Sequence, residues 1–538
     1  MPGISAFHPF ILMFLVAVLF SCREAPRQPL PEAGLLDETF EPDIDIELYA
    51  RATQMQLMDG NPTDVYTYEA SLIEGSAAVL QEMEGRYPGP VIRVQQGDKV
   101  RVRFHNELPG QSIIHWHGLH LSPEMDGHPR YAIGQGETFV YEFTINNPPG
   151  TYWFHPHPEG HTGEQVYRGL AGLLIVEDEE GRLPTGDYDL PLLIQDRSFD
   201  DDNRLVYHDD HPMMQMHGFL GDRILVNGRL NKIQEVDRAT YRLRVLNGSN
   251  SRIYKLAWSD GSPVIVTATD GGLLQSPVEL PYLMLAPGER FEIWKDFSEH
   301  AAGENITLES LEFLDGMLHV MEMDHHMMDE GMMGDARQMP ARMRELFAVA
   351  QGASLDIMTF SVGNQDGPVP ELPGQLGGIS GMDPATAINR DDPRQFFFYH
   401  EHMDALINGE SFVLDEVAEW ERVAFNTTEV WQFINDHEVQ RHGMTQQPMQ
   451  MPHPVHIHGV SFQIINRDVS AMDPDVWDSV HEGFVDQGWH DTFLLLPGMK
   501  VNVLIRFEHY SGVYLYHCHN LEHHDMGMMR NYEIVEAE

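Results

Sequence analysis

Short apolar runs recur along most of the chain, each closed by Gly, Pro, Asn or Asp. Examples are Val91–Val94, Lys99–His105, Glu137–Ile145, Gly172–Val176, Tyr241–Leu246 and Val501–Phe507. Runs this short, bounded by turn formers, predict strands rather than helices. Their close spacing predicts β-sandwiches, with helices few and short. Longer phrases also return. PGPVIRVQQGDKVRVRFHN (88–106) is echoed by DRATYRLRVLNGSN (237–250) and EWERVAFNTTE (419–429). GQGETFVYEF (134–143), LAPGERFEI (285–293) and LLPGMKVNVLI (495–505) form a second set. A weak repeat of about 140–180 residues predicts three similar all-β domains, placed near 45–180, 185–365 and 385–538.

The N-terminal end departs from this pattern. Phe10 to Phe20 is unbroken apolar sequence ending Leu19-Phe20-Ser21-Cys22. It is too short to span a bilayer comfortably and resembles a bacterial lipoprotein cleavage box. Residues 1–22 therefore predict an export signal, with Cys22 as a lipid anchor, although Lys and Arg are missing from its start. Residues 23–44 are Pro- and acid-rich and predict a flexible tether. The expected location is the periplasm or a bacterial membrane surface, and a monomer is expected. No later stretch reaches 18 apolar residues, so the rest should be soluble.

Charge narrows the partners. The chain has 83 acidic against 34 basic residues, a net charge of −49. That excludes nucleic acid, which needs a basic face. An acidic surface also concentrates cations, but a solvated, salt-adapted surface accounts for it without a ligand.

The chemistry lies in histidine and cysteine. Only two cysteines exist, Cys22 and Cys518, so the folded part has one thiol and no internal disulfide. Cys518 sits in His517-Cys518-His519-Asn520-Leu521-Glu522-His523-His524-Asp525-Met526-Gly527-Met528. Three further clusters are His115-Trp116-His117-Gly118, His155-Pro156-His157 and His453-Pro454-Val455-His456-Ile457-His458-Gly459. With 30 histidines, about two His-x-His pairs arise by chance. His400-Glu401-His402 has no wider context and is taken as the chance pair. On a strand, residues i and i+2 share a face while i+1 takes the other. Each pair therefore aims two imidazoles at one place, and Cys518 points away from His517 and His519. Two clusters fall in the first third and two in the last, which predicts a site where the first and third domains meet.

His453, Cys518, His523 and Met528 form a His₂Cys set with a weak axial thioether, the ligand list of a blue-copper electron-transfer site. Eight imidazoles remain: His115, His117, His155, His157, His456, His458, His517 and His519. They are enough for several coppers with open positions for oxygen. Zinc competes, but gains nothing from an adjoining redox centre.

The four motifs together resemble those of three-domain bacterial multicopper oxidases, in the laccase-like branch that includes cuprous oxidases. The resemblance implies three cupredoxin-like Greek-key β-sandwiches and four coppers. It implies a type 1 copper on His453, Cys518, His523 and Met528, and a type 2 copper on His115 and His456. It implies a type 3 pair on His117, His155, His157, His458, His517 and His519. Electrons would pass from a small reductant through Cys518 to His517 and His519, and O₂ would be reduced to water. Asp126 matches the acid that the family places beside the cluster, where an Asp-Gly turn residue is the competing reading. Glu522 also stands where relatives carry an acid, with packing as its other reading.

The reductant is the open question. Residues 317–343 hold nine Met among Asp, Glu, His and Gly, including Met327, Met328, Met332 and Met333. Burying that mixture is costly, and thioethers favour Cu(I). Met444, Met449 and Met451 precede His453, and Met451 matches a substrate-copper ligand of cuprous oxidases. Those relatives carry an acid where this chain has Met449, and another where it has His524. Their Met-rich insert also lies in the third domain rather than late in the second. The expectation is Cu(I) oxidation with some activity on phenols. A laccase or Fe(II) oxidase without copper specificity, or a copper-sequestering protein without turnover, are the alternatives.

Overall fold

The computed structural model describes residues 33–178, 181, 183–207, 212–316, 349–401, 404–436, 439–441, 444–446 and 450–536. Its strands fall into three consecutive groups, each forming two facing sheets. The predicted strands are present: Val91–Val94 and Gly172–Val176 match residue for residue, and the others shift by a residue or so at an end.

In the first group one sheet has four strands and the other five. The five-stranded sheet contains β1 (Ile114–His117) and β2 (Gly150–Pro156), which pair antiparallel with His115 opposite His155. Between the sheets lie Ile46, Val102, Phe104, Trp116, Tyr141, Phe154 and Leu174. A short helix, α1 (Thr162–Arg168), follows β2. The second group has seven- and five-stranded sheets, with α2 (Pro212–His217) in an early connection.

The third group has two five-stranded sheets. One carries β3 (Arg394–Glu401). The other carries β4 (His453–Ile457), β5 (Thr492–Leu495), β6 (Gly512–Cys518) and, after helix α3 (Leu521–Asp525), β7 (Met529–Val535). β4 lies between β5 and β6, all antiparallel, with His456 opposite His517 and Val455 opposite Cys518.

Each group contains the same unusual element, two parallel ladders in otherwise antiparallel sheets. They join 44–55 to 99–106 and 91–94 to 172–176 in the first group. They join 189–197 to 240–247 and 233–238 to 355–366 in the second. They join 394–401 to 427–434 and 422–424 to 529–535 in the third. Parallel neighbours need a crossover between them, so the shared pattern is the structural form of the sequence repeat.

The groups are also tied together. Buried Arg244 bonds Asp189 and Glu292 of the second group and Thr151 Oγ1 on β2 of the first. Buried Arg290 of the second group donates to the Thr151 carbonyl. These bonds brace β2, one of the histidine-bearing strands.

Candidate metal centre

β6 carries the division of labour. Its alternation sends Cys518 to one face and His517 to the other, with His519 just beyond the strand end. Cys518 Sγ stands 3.5 Å from His453 Nδ1 and 3.6 Å from His523 Nδ1. All three side chains are buried. His453 opens β4, and His523 lies on α3, whose N-cap Asn520 also donates its backbone N–H to the sulfur at 3.4 Å. Met528 is buried and fixed by the backbone, its carbonyl accepting from Cys518 N and its N–H donating to His523 O, both at 3.0 Å. Burial pushes the Cys518 thiol up. A thiolate there needs a metal to displace the proton.

On the opposite face the eight other histidines converge, all buried. At metal–nitrogen bonds of about 2.0 Å, two ligands in a tetrahedral shell stand about 3.3 Å apart. The observed spacings are of that size. His115 Nε2 is 3.2 Å from His456 Nε2, which joins the first and third groups. His117 Nδ1 is 3.4 Å from His155 Nε2. His517 Nε2 is 3.4 Å from His157 Nε2 and 3.1 Å from His458 Nε2. The ligand atoms of His157, His458 and His517 all lie within 4.8 Å of one another, as do those of His453, Cys518 and His523. His519 has no hydrogen-bond partner on either ring nitrogen, and its ring packs 5.1 Å from His117 and 5.3 Å from His155. Burial lowers the basicity of His115, His117, His155, His157, His458, His517 and His519. Neutral imidazole is the form that binds metal. Spacing, neutrality and bare nitrogens all fit copper.

The surrounding groups set the ring orientations. His115 Nδ1 donates to the Asp126 carbonyl at 2.7 Å, and His458 Nδ1 to Asp126 Oδ2 at 2.7 Å. Asp126 thus holds one histidine from each side of the contact. Its Oδ1 accepts no hydrogen bond and lies 3.7 Å from His115 Nδ1, and burial raises its pKa well above the usual carboxylate range. The next residue, Gly127, has φ +93°, and a Cβ there would lie 2.1 Å from the Ile114 carbonyl. That explains Asp-Gly at this point.

Asp491, Arg290 and Asp270 were missed in the sequence. Asp491 Oδ1 accepts from His117 Nε2 at 3.0 Å, and its backbone carbonyl accepts from His456 Nδ1 at 2.8 Å. Arg290 from the second group grips both carboxylate oxygens, at 2.7 and 2.6 Å. Burial opposes the charge on Asp491, but Arg290 and His117 hold its pKa well below the ordinary value. Asp270 Oδ2 accepts the backbone N–H groups of Asp491 and Thr492. Gly118, the last residue of His-Trp-His-Gly, has φ +88°, and its Cβ would lie 2.4 Å from Asp491 Oδ2. The glycine makes room for this pair.

Two more expectations meet their surroundings. Glu522 is engaged by four donors. It accepts from Tyr207 Oη, Phe219 N and Asn250 Nδ2, each at 2.8 Å, and from Ser251 Oγ. All four donors come from the second group, so Glu522 ties that group to α3. His400, read as half of a chance pair, is instead buried beside the thiol pocket. Its ring is 4.4 Å from that of His523 and 5.8 Å from that of His453, and neither nitrogen has a hydrogen-bond partner. The signal was its period-two placement on β3, discounted because no motif surrounded it.

Met451 is buried just before β4, with its carbonyl accepting from Asn435 Nδ2 at 2.7 Å. Met444 opens a two-stranded ribbon with Val439–Arg441. Cys22, Met327, Met328, Met332, Met333 and Met449 lie outside the described residues.

Comparison with known proteins places this arrangement. Two models described as multicopper oxidase match residues 65–181 and 385–538. The multicopper oxidase mco of Staphylococcus epidermidis is 29% identical over 456 residues, 84% of this chain and 83% of its own. The cell division protein FtsP of Xenorhabdus nematophila is 30% identical over 463 residues, 83% of each chain. The crystal structure of the McoA multicopper oxidase from Aquifex aeolicus superposes with a TM-score of 0.71 at 30% identity, covering 92% of this chain and 97% of that one. With three cupredoxin-like sandwiches and a histidine–cysteine constellation of this kind, the chain belongs to the multicopper oxidase family.

Proposed function

We propose that this oxidoreductase takes electrons one at a time from Cu(I), accepts phenols as secondary donors, and is exported. In this reading Cys518, His453, His523 and Met528 hold the type 1 copper, and His115 and His456 the type 2 copper. His117, His155, His157, His458, His517 and His519 hold the type 3 pair. When bound, the four coppers supply storage for the four electrons that, with four protons, convert O₂ to two waters. The chain's part is to fix these groups and move protons. Asp126, with one buried oxygen that accepts no hydrogen bond between His115 and His458, is the proposed proton carrier. Glu522, saturated by four donors, is the proposed positioning residue for α3.

One observation carries the preference for Cu(I). His523 Nε2, the ring edge facing away from the sulfur, donates to the Met216 carbonyl at 2.8 Å. A segment reading Pro-Met-Met-Gln-Met-His, α2, therefore crosses that edge. An electron donor that reaches His523 from that edge meets a segment whose sequence is rich in thioethers, donors suited to Cu(I). The Met-rich stretch 317–343 extends the same chemistry in sequence.

The test is oxygen uptake with Cu(I), Fe(II) and a phenol. Replacing Met213, Met214 and Met216 together by Leu is expected to lower the Cu(I) rate about tenfold while sparing the phenol rate. Equal effects on all donors would leave an unselective laccase. Export, with lipid on Cys22, rests on the apolar run before it. A mature chain still beginning at Met1 would overturn it.

A further inference from the structure

We infer that Trp153 orients the ring of His519 by packing, doing for that ligand what hydrogen bonds do for most of the other cluster histidines. This rests on the copper assignment above and not on which donor the enzyme oxidises.

His519 is the exception among the eight imidazoles. Asp126 holds His115 and His458, and Asp491 holds His117 and His456. The Pro156 carbonyl accepts from His155 at 2.9 Å, and the Cys518 carbonyl from His517 at 3.0 Å. Of the eight, only His519 lacks a hydrogen-bond partner on both ring nitrogens. A histidine ligand is usually fixed by a hydrogen bond from its other nitrogen. The backbone of His519 is pinned, its N–H donating to the Pro454 carbonyl at 2.6 Å. Its ring has only neighbouring side chains and backbone to stop it turning.

Trp153 is the large apolar neighbour. It lies in β2 and is 1% exposed. Its indole is 4.2 Å from the ring of His155, 5.1 Å from that of His117 and 5.5 Å from that of His519, centroid to centroid. His157, His458 and His517 converge on one place, so these three are the remaining ligands of the type 3 pair. One flat side chain thus packs against every imidazole of one copper. Its Nε1 has no hydrogen-bond partner, so it acts through its ring face.

The indole is itself held. It clusters with Met83, Val91 and Leu173 of the first sandwich and with Leu193 and Leu246 of the second, all buried. The second sandwich also reaches His519 directly. Its backbone at Gly288 passes so close that a Cβ there would lie 3.0 Å from His519 Cδ2. Packing of this density locks a side chain in one rotamer. The second sandwich supplies none of the ligands, yet it abuts His519 and backs the indole that packs on it.

Copper release from the four-copper protein to a chelator tests this, with the visible band of the thiolate copper read alongside. Trp153→Leu removes the flat face. It is expected to lose cluster copper about tenfold faster than the wild type, or more, with the thiolate band kept. Trp153→Phe keeps an aromatic face and should release copper more slowly than Trp153→Leu. Val91→Ala loosens the same apolar cluster while leaving the indole in place, and should release at the wild-type rate. Wild-type release from Trp153→Leu, or equally fast release from Val91→Ala, would overturn the inference. If Trp153→Leu does not fold, crystal structures of the wild type with and without copper decide. The His519 ring is expected in the same orientation in both, and a ring that turns on loading overturns the inference. A loaded structure in which His519 binds no copper would overturn the copper assignment and the inference with it, whereas failure among the variants leaves that assignment standing.

Discussion

The two faces of β6 hold sites built in opposite ways. On one face, Cys518, His453, His523 and Met528 all come from the third sandwich, with Cys518, His523 and Met528 inside the stretch 518–528. On the other, the imidazoles come from the first and third sandwiches, and the second supplies Arg290 to hold the Asp491 carboxylate. The first site takes its ligand side chains from one domain, although the second group braces α3 behind it. The second exists only when all three sandwiches have docked. Stability, metal retention and acid sensitivity should therefore separate along this line.

The largest effect should come from Cys518→Ser. It removes the thiolate, so the visible charge-transfer band should vanish and oxygen uptake should fall about a thousandfold or more. The cluster on the other face should still load copper, as measured by metal content. Loss of all copper would mean that the sites are not separable.

Acid comes next. Buried imidazoles on both faces have folded pKa values below the ordinary 6.5, by desolvation first. The unfolded chain then takes up protons that the folded one refuses. Stability is complete above about pH 6.5 and falls as the pH drops toward the folded values, by up to about 1.4 kcal/mol per pH unit for each group. Most of these groups lie on the imidazole face. Thermal melts of the apoprotein from pH 7 to pH 4 should fall steeply, and copper should raise the melting temperature at pH 7 without flattening the fall, because metal-bound imidazoles take up no protons. A flat apoprotein curve would contradict the geometry.

Asp491→Asn probes the bracing. It leaves Arg290 buried against a neutral amide and weakens the hold on His117. Cluster copper should bind about 10–100-fold more weakly, while the thiolate band is unchanged. The smallest change is expected on the thiolate face. His400→Phe removes a buried imidazole with no partner and should stabilise the apoprotein by about 1 kcal/mol. Destabilisation would reveal a partner for His400 in solution.

Legibility in the sequence follows the same division. The Cys518 pocket could be read because its ligands are close in the chain and of rare type. The His-x-His pairs could be read because strand alternation puts both rings on one face. The repeat was visible in phrases such as PGPVIRV and returns as paired parallel ladders. Asp491, Arg290 and Asp270 could not be read, since each looks like an ordinary charged residue until segments some 200 residues apart meet. Glu522 had two readings, and only the four donors from the second sandwich show what surrounds it. His400 was dismissed because chance alone could supply such a pair.

In the proposed reading, one peptide link between Cys518 and His517 fixes the distance from the electron's port of entry to its exit, whatever the sandwiches do. The exit, by contrast, is assembled across a seam. A molecule whose seam opens keeps a place to receive electrons but loses the place where oxygen is handled. In the proposed reading, damage of that kind would leave the receiving site without an outlet for its electron.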